Sequence, residues 1–173
     1  MNTTLGPVEV RTDLATLLPR EMTELRWAPL MTFFLDIKPP FNLGKTPVAD
    51  RRIAELPGGY FEGERLRGKI LTSGSDWQTV RADSTWMINV RTLLETDDGA
   101  LIGMSYQGLR HGAPEILQAL GRGEPVSPLA YYMRVSVVFE TSADRYAWLN
   151  RVVTVAHGHR LALGAIYNVF EIK

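Results

Sequence analysis

The chain has 173 residues, with nineteen basic and nineteen acidic side chains, three histidines and no cysteine. This length corresponds to about one domain, and the charge balance argues against a nucleic-acid-binding surface. Without cysteine there can be no disulfide, thiolate metal site or cysteine nucleophile. No apolar run reaches the roughly 18 residues of a membrane span, and the N-terminus lacks a basic region followed by an apolar one. The expected location is therefore the cytoplasm.

Residues 1–29 form an N-terminal extension of mixed character. Leu14, Leu17 and Leu18 would cover one side of a neighbouring surface, while Pro19 limits any helix that Asp13 begins. We expect this extension to pack either on the rest of the chain or on a partner subunit.

Residues 30–173 follow the pattern of an all-β domain. About eight short stretches alternate between apolar and polar residues and are separated by turns that contain glycine or aspartate. The clearest pair is Thr85 to Thr96 and Leu101 to Arg110, joined by Asp97-Asp98-Gly99, which is a strong hairpin signal. Residues Ala113 to Glu124 predict one short helix. The pattern predicts a mostly antiparallel β-barrel of about eight strands with one or two short helices.

Several sequence blocks occur in an order and at spacings that resemble the domain of unknown function 3237 family. These blocks are Gly58-Gly59-Tyr60-Phe61-Glu62-Gly63, Leu66-Arg67-Gly68, Gly74-Ser75-Asp76-Trp77, Arg81-Ala82-Asp83, Val90-Arg91, Thr96-Asp97-Asp98-Gly99, Tyr131-Tyr132-Met133-Arg134 and Tyr146-Ala147-Trp148-Leu149-Asn150. The resemblance covers roughly Leu30 to Lys173 and implies a lipocalin-like closed barrel whose chemistry is largely unassigned. Asn89 stands where the family more usually has an acidic residue, and Ser84 stands where it usually has a turn glycine.

Asp76 is the best catalytic candidate, because a carboxylate beside an indole in a strand that leads into a cavity would be desolvated. Desolvation raises the pKa of a carboxyl, as suits a general acid or base near neutral pH. The alternative is that Asp76 accepts hydrogen bonds from backbone amides while Trp77 fills the core.

Arg91 is the second catalytic candidate, with Asn89 and Arg51 as substrate-binding neighbours. Asn89 and Arg91 alternate with apolar residues on one strand, and a guanidinium in a dry cavity suits a carboxylate, enolate or phenolate. If Asn89 and Arg91 face the lumen, the opposite apolar face of Trp86, Ile88, Val90 and Leu94 needs an external cover. This reasoning predicts a homodimer. The alternative for Arg91 is a salt bridge outside the barrel.

The remaining candidates are aromatic and basic. Tyr106, Tyr132 and Trp77 could stack a substrate ring, and Arg134, which follows Tyr132 closely in sequence, is a further substrate-binding candidate. His111, at a strand end, is a candidate proton shuttle. Residue spacing predicts no metal site, and no phosphate-binding loop indicates a nucleotide cofactor.

Two functions remain open. The first is a cofactor-independent enzyme of the isomerase, cyclase or lyase type, acting on a small aromatic or carbonyl-bearing metabolite. The second is a non-catalytic barrel that binds or carries a small molecule. Several polar and charged groups converging in one cavity would favour the enzyme, whereas an apolar lumen with a single polar anchor would favour the carrier.

Overall fold

A computed structural model describes residues 14–173 and shows a closed antiparallel β-barrel. Its strands are β1 (Trp27–Asp36), β2 (Phe41–Lys45), β3 (Asp50–Leu56), β4 (Gly58–Glu62), β5 (Arg67–Ile70), β6 (Gly74–Val80), β7 (Trp86–Thr96), β8 (Leu101–Gly112), β9 (Tyr131–Glu140), β10 (Val153–Arg160) and β11 (Gly164–Ile172). One α-helix, α1 (Pro114–Gly121), follows β8. The predicted barrel class, the β7–β8 hairpin and the short helix are confirmed.

Eight strand positions close the barrel. The strands run in the order β7, β5, β4, β1, β11, β10, β9 and β8, and pairing between β7 and β8 completes the ring. Strands β5 and β6 pair with different parts of β7, and β3 pairs with β6. Only Pro57 separates β3 from β4, so these two strands together occupy one bent strand position of the barrel wall. Strands β5 and β6 together occupy another.

The alternation along β7 determines which side chains point into the barrel. Ile88, Val90 and Leu94 are buried, whereas Asn89 and Arg91 are exposed. The proposal that Asn89 and Arg91 face the lumen is therefore wrong. The apolar face of β7 is the interior of the barrel, where it packs with aliphatic and aromatic residues of the other strands, so it needs no external cover.

The turns explain one departure from the family pattern. Ser84, between β6 and β7, has φ of 65° and is the one non-glycine residue with positive φ in the described chain. The turn is held by Asp83, whose side chain accepts a hydrogen bond from the Thr85 amide at 2.9 Å. Serine thus occupies a left-handed position that glycine adopts with less strain.

The described part of the N-terminal extension forms two short 3₁₀ turns, Leu14–Leu17 and Arg20–Met22. Every residue from Leu14 to Trp27 is exposed. Strand β1 begins at Trp27, so the barrel starts three residues earlier than the predicted boundary at residue 30. Residues 1–13 of the predicted extension lie outside the described residues. Across residues 14–173, no helix is long and apolar enough to cross a membrane.

Candidate functional site

A cavity of about 220 Å³ lies inside one end of the barrel, beneath helix α1. Much of its wall is apolar, formed by Ile37, Pro40, Trp86, Ile88, Leu117, Leu120 and Met133. Against this wall stand six polar or charged side chains, Arg52, Asp76, Gln78, Arg110, Arg160 and Tyr167. Such a concave apolar site with a few converging polar groups is typical of a small-molecule site.

Asp76 is the carboxylate of this cavity. It is 5% exposed, and β6 directs it inward because its neighbours Ser75 and Trp77 occupy the opposite face of the strand. One carboxylate oxygen accepts a hydrogen bond from the Asn89 amide at 3.1 Å, and the other accepts one from the Gln78 side chain at 2.7 Å. Each oxygen can accept a second hydrogen bond, so Asp76 retains capacity to act on a ligand.

Burial raises the pKa of Asp76 above its ordinary value. The hydrogen bonds from Gln78 and Asn89 and the charges of Arg110 and Arg160 act in the opposite direction. Desolvation outweighs them because the carboxylate is almost fully removed from water. The group therefore holds a proton to a higher pH than a solvated aspartate does.

Arg110 and Arg52 flank the same indole. The guanidinium carbon of Arg110 lies 4.5 Å from the ring centroid of Trp86, and that of Arg52 lies 4.8 Å from it. The buried Nε of Arg110 and Nη1 of Arg52 have no hydrogen-bond partner within the described chain. A buried guanidinium nitrogen without an acceptor is costly, so these two atoms are available to a ligand.

Arg160 and Tyr167 form another part of the cavity wall. Arg160 donates to the carbonyl of Gly164, and its backbone amide donates to the Tyr131 hydroxyl at 2.7 Å. The ring of Tyr167 packs against that of Tyr106, with centroids 5.3 Å apart. Burial raises the pKa of both these tyrosines. They consequently stay neutral at physiological pH.

This arrangement can hold a small molecule with an oxygen atom near arginine and an acidic hydrogen near Asp76. Burial lowers the pKa of Arg110, the largest of several influences on it, but an arginine remains charged at neutral pH. The site thus combines a fixed positive charge with a carboxylate of raised proton affinity. Those are the two groups that proton transfer next to a carbonyl requires.

Of the predicted site residues, Asp76 and Tyr106 point into the barrel. Tyr106 is 2% exposed and packs against both Tyr167 and Phe33, with ring centroids 5.3 Å and 5.8 Å away. Asp76 is buried and desolvated in the structure, as predicted. One of its oxygens also accepts a hydrogen bond from the backbone amide of Asn89, which is the kind of bond that the alternative prediction gave to Asp76.

Four predicted residues lie together on the outside of the barrel. Trp77, Asn89 and Arg91 line a surface depression with Ser75, and the Arg51 guanidinium carbon is 5.9 Å from the Trp77 ring centroid. The prediction that Arg91 shares a cavity with Asp76 is wrong. Arg91 pairs with Ser75 across the strands, whereas Asp76 pairs with the inward-facing Val90.

Three further predicted residues form a second exterior group. His111 stacks on Tyr132 with ring centroids 4.8 Å apart, and the Arg134 guanidinium carbon is 5.1 Å from the Tyr132 ring centroid. His111 and Tyr132 are exposed, and none of the three lines the cavity that contains Asp76. The structure therefore separates the nine predicted residues into three places.

Sequence reasoning missed the three arginines of the cavity together with Gln78, Trp86 and Tyr167. A usable signal was the alternation along each strand, because residues an even number apart share one face. Arg110 lies an even number of residues from Ile102, Met104 and Tyr106, which are all buried. Arg160 likewise has the parity of the buried Ala156. Had the apolar face of each strand been taken as the interior, the arginines in phase with it would have been candidates.

No group of three or more metal-ligating side chains is present among residues 14–173. Three of the six polar side chains of the cavity are arginines, which repel a cation. We therefore assign the cavity no metal.

Comparison with known proteins gives the relationships of the chain. Residues 25–172 match the family described as protein of unknown function DUF3237. A UPF0311 protein of Bradyrhizobium diazoefficiens is 36% identical over 129 residues, which are 75% of this chain and 84% of that protein. A crystal structure of a beta-barrel-like protein from Acinetobacter baumannii is 41% identical, with a TM-score of 0.75 over 87% of this chain and 97% of the other.

A more distant likeness is to a crystal structure described as an enzyme from Penicillium herquei. It has 21% identity and a TM-score of 0.66, over 87% of this chain and 96% of that one. At that identity the likeness concerns the fold alone. The family match spans nearly all of the described barrel, and the chain therefore belongs to the DUF3237 family of proteins of unknown function.

Proposed function

We propose that the protein is a cofactor-independent enzyme that moves protons on a small aromatic or carbonyl-bearing molecule held in the cavity. The observation that supports this function best is the buried carboxylate of Asp76, with its raised pKa, in one cavity with Arg110. A carrier needs one polar anchor, whereas this cavity has six polar or charged side chains around the same space.

Each group has a role in this chemistry. Asp76 takes a proton from a carbon next to a carbonyl, and the electron pair moves to the carbonyl oxygen as an enolate. Arg110 stabilises that negative oxygen, and the neutral Tyr167 hydroxyl is available as a hydrogen-bond donor. The proton then returns from Asp76 to another atom of the substrate, which gives an isomerisation. In an elimination, the enolate instead expels a leaving group from the β-carbon and Asp76 protonates that group. In a cyclisation, the enolate attacks a second carbonyl carbon of the same molecule and Asp76 protonates the oxygen that becomes negative.

Hydrogen exchange tests the proton transfer without knowledge of the product. Aryl ketones and small 2-oxo acids would be incubated with the protein in D₂O, and loss of the α-hydrogen signal would be followed by proton NMR. We expect exchange above the buffer rate for at least one compound. Asp76→Asn should slow it by roughly 10²-fold or more, and Arg110→Met by a similar factor.

Arg91→Gln distinguishes the cavity from the exterior depression. Exchange that is unchanged in Arg91→Gln and lost in Asp76→Asn would support the cavity as the site. Loss of exchange in Arg91→Gln, with full exchange in Asp76→Asn, would contradict the proposal. Absence of exchange throughout the panel, together with tight binding of one of its members, would favour the carrier.

A further inference from the structure

The charges of the cavity do not balance. Arg52, Arg110 and Arg160 line it, and Asp76 is the one acidic residue in its lining. Since burial raises the pKa of Asp76, this carboxyl gives up its negative charge more readily than a solvated one. The free cavity therefore has an excess of positive charge, which is costly in a partly desolvated site.

The three arginines differ in how well they are neutralised. The Nη2 of Arg52 lies 3.8 Å from the Asp50 carboxylate, and Arg160 donates to the Gly164 carbonyl. No ion pair or hydrogen bond is recorded for the Arg110 side chain among the described residues, although its charge also acts on Asp76. Its Nε is buried without an acceptor, as is the Nη1 of Arg52. An anionic group beside Arg110 would supply the missing acceptor.

The shape of the site favours a planar anion. The guanidinium carbons of Arg110 and Arg52 both lie within 5 Å of the Trp86 ring centroid, so both groups stand beside the same indole of the cavity wall. A guanidinium binds the two oxygens of a carboxylate through parallel hydrogen bonds. The volume of about 220 Å³ exceeds the roughly 150 Å³ that accommodates benzene. One ring with one or two small substituents fits.

We infer that the cavity selects a small single-ring carboxylate, whose carboxylate is bound by Arg110 with help from Arg52. This inference names the substrate class of the proposed enzyme, but the binding step does not depend on turnover. It also separates two roles in the cavity. Arg110 binds the carboxylate that the molecule already carries as well as the enolate oxygen that develops, and Asp76 acts on a hydrogen elsewhere in the molecule.

Binding measurements on matched acids and amides test this inference. The probes are benzoate, 4-hydroxybenzoate and cyclohexanecarboxylate, each paired with its neutral amide, and binding to the full chain is followed by calorimetry. We expect at least one acid to bind about tenfold or more tightly than its amide. The amide lacks the negative charge that would pair with Arg110, and loss of one partner of a buried charge pair weakens binding by at least that factor. Arg110→Gln should abolish this preference.

The controls separate an electrostatic effect from misfolding and from failed catalysis. Arg81→Gln removes a charge from an exposed turn and should leave acid binding unchanged, while circular dichroism checks that Arg110→Gln folds. If Arg110→Gln is unfolded, Arg52→Gln replaces it and should weaken acid binding. Asp76→Asn should still bind the acid. Acid binding by the unmodified protein without any exchange activity would remove the proposed enzyme while keeping this inference. Equal binding of acid and amide, acid binding that survives Arg110→Gln, or no binding by any probe would overturn it.

Discussion

At the scale of single residues, the position of Asp76 combines a stability cost with a chemical use. Burial raises its pKa, so the folded protein binds this proton more tightly than the unfolded chain does. The folded state is therefore favoured most below the ordinary aspartate pKa, and it loses stability as the pH rises through the raised pKa. Each unit of upward shift in a pKa corresponds to about 1.4 kcal/mol.

Asp76→Asn should accordingly unfold at a higher temperature than the unmodified protein at pH 7. The amide oxygen can still accept the hydrogen bond from the Asn89 amide, while the buried charge is removed. The difference between the two proteins should shrink as the pH falls towards the ordinary aspartate pKa. Thermal unfolding followed by circular dichroism, from about pH 3.5 to about pH 8, measures this difference.

Asp83→Asn provides a control with the opposite sign. Hydrogen bonds from Thr85 lower the pKa of Asp83, so its carboxylate stabilises the folded state above the ordinary pKa and that stabilisation is lost in acid. Its substitution should therefore destabilise the protein at neutral pH and have no effect at low pH. An Asp76→Asn variant that is less stable at pH 7 would mean that the carboxylate is held by interactions stronger than its desolvation.

The same residue scale shows what the amino-acid sequence could predict of the site. Asp76 is identified in the sequence because a carboxylate beside an indole, in a strand that leads into a cavity, would be desolvated. The structure has Asp76 buried, but the indole of Trp77 lies outside the barrel. Arg110 was missed because it lies near the end of β8, where the sequence resembles a surface loop, Leu109-Arg110-His111-Gly112. Arg110 and Asp76 share the cavity because β6 and β8 both pair with β7 and both side chains face the interior. Because the sequence analysis took the wrong face of β7 as the interior, it could not assign that shared inward phase to Arg110.

At the scale of elements, strand positions followed from alternation but the inward face of β7 did not. Both faces of β7 contain large side chains, and the presence of Asn89 and Arg91 suggested a polar lumen. Burial follows the face with the greater apolar area instead, which here is Ile88, Val90 and Leu94. A strand that shifts by one residue exchanges its faces, so the error in β7 accounts for the two predicted site residues Asn89 and Arg91 that lie on the exterior.

Glycine positions determine how closely the strands approach. Gly68 lies in β5 opposite Thr96, and a Cβ there would collide with the main-chain oxygen of Glu95 and lie 2.8 Å from the Cα of Thr96. We expect Gly68→Ala to lower the free energy of unfolding by about 3 kcal/mol, because rigid backbone cannot give way as a flexible side chain can. Urea denaturation measures the change.

Gly121→Ala is the matched substitution in helix α1. A Cβ at Gly121 would meet nothing within 4 Å. This change should raise the free energy of unfolding by about 0.5 kcal/mol, because alanine reduces the conformational entropy of the unfolded chain. If Gly68→Ala were as well tolerated as Gly121→Ala, the close approach of β5 and β7 would not constrain the barrel.

At the scale of the whole molecule, the homodimer was predicted because the apolar face of β7 needed an external cover, and that face is the barrel interior. The homodimer stays a prediction, and the surface that now suggests it is the N-terminal segment. The described N-terminal segment exposes six large apolar side chains, Leu14, Leu17, Leu18, Met22, Leu25 and Trp27, at 45–70%. Trp27 packs edge-on against Phe170 with ring centroids 5.0 Å apart, which connects the segment to the barrel wall. An apolar group of this kind on a globular protein typically marks an interface.

We expect the protein to be a dimer by light scattering, with this segment buried between the subunits. Burial of a large aliphatic side chain contributes about 1.5–3 kcal/mol, so the triple variant Leu17→Ser, Met22→Ser, Leu25→Ser should dissociate to a monomer that keeps the barrel's circular dichroism spectrum. Leu129→Ser is the control and should leave the mass unchanged, because Leu129 is 89% exposed in the loop before β9, away from this segment in sequence.

A monomer mass for the unmodified chain, or a dimer that survives the triple variant, would contradict the assignment. Because none of these four residues lines the cavity, loss of the dimer should leave acid binding intact.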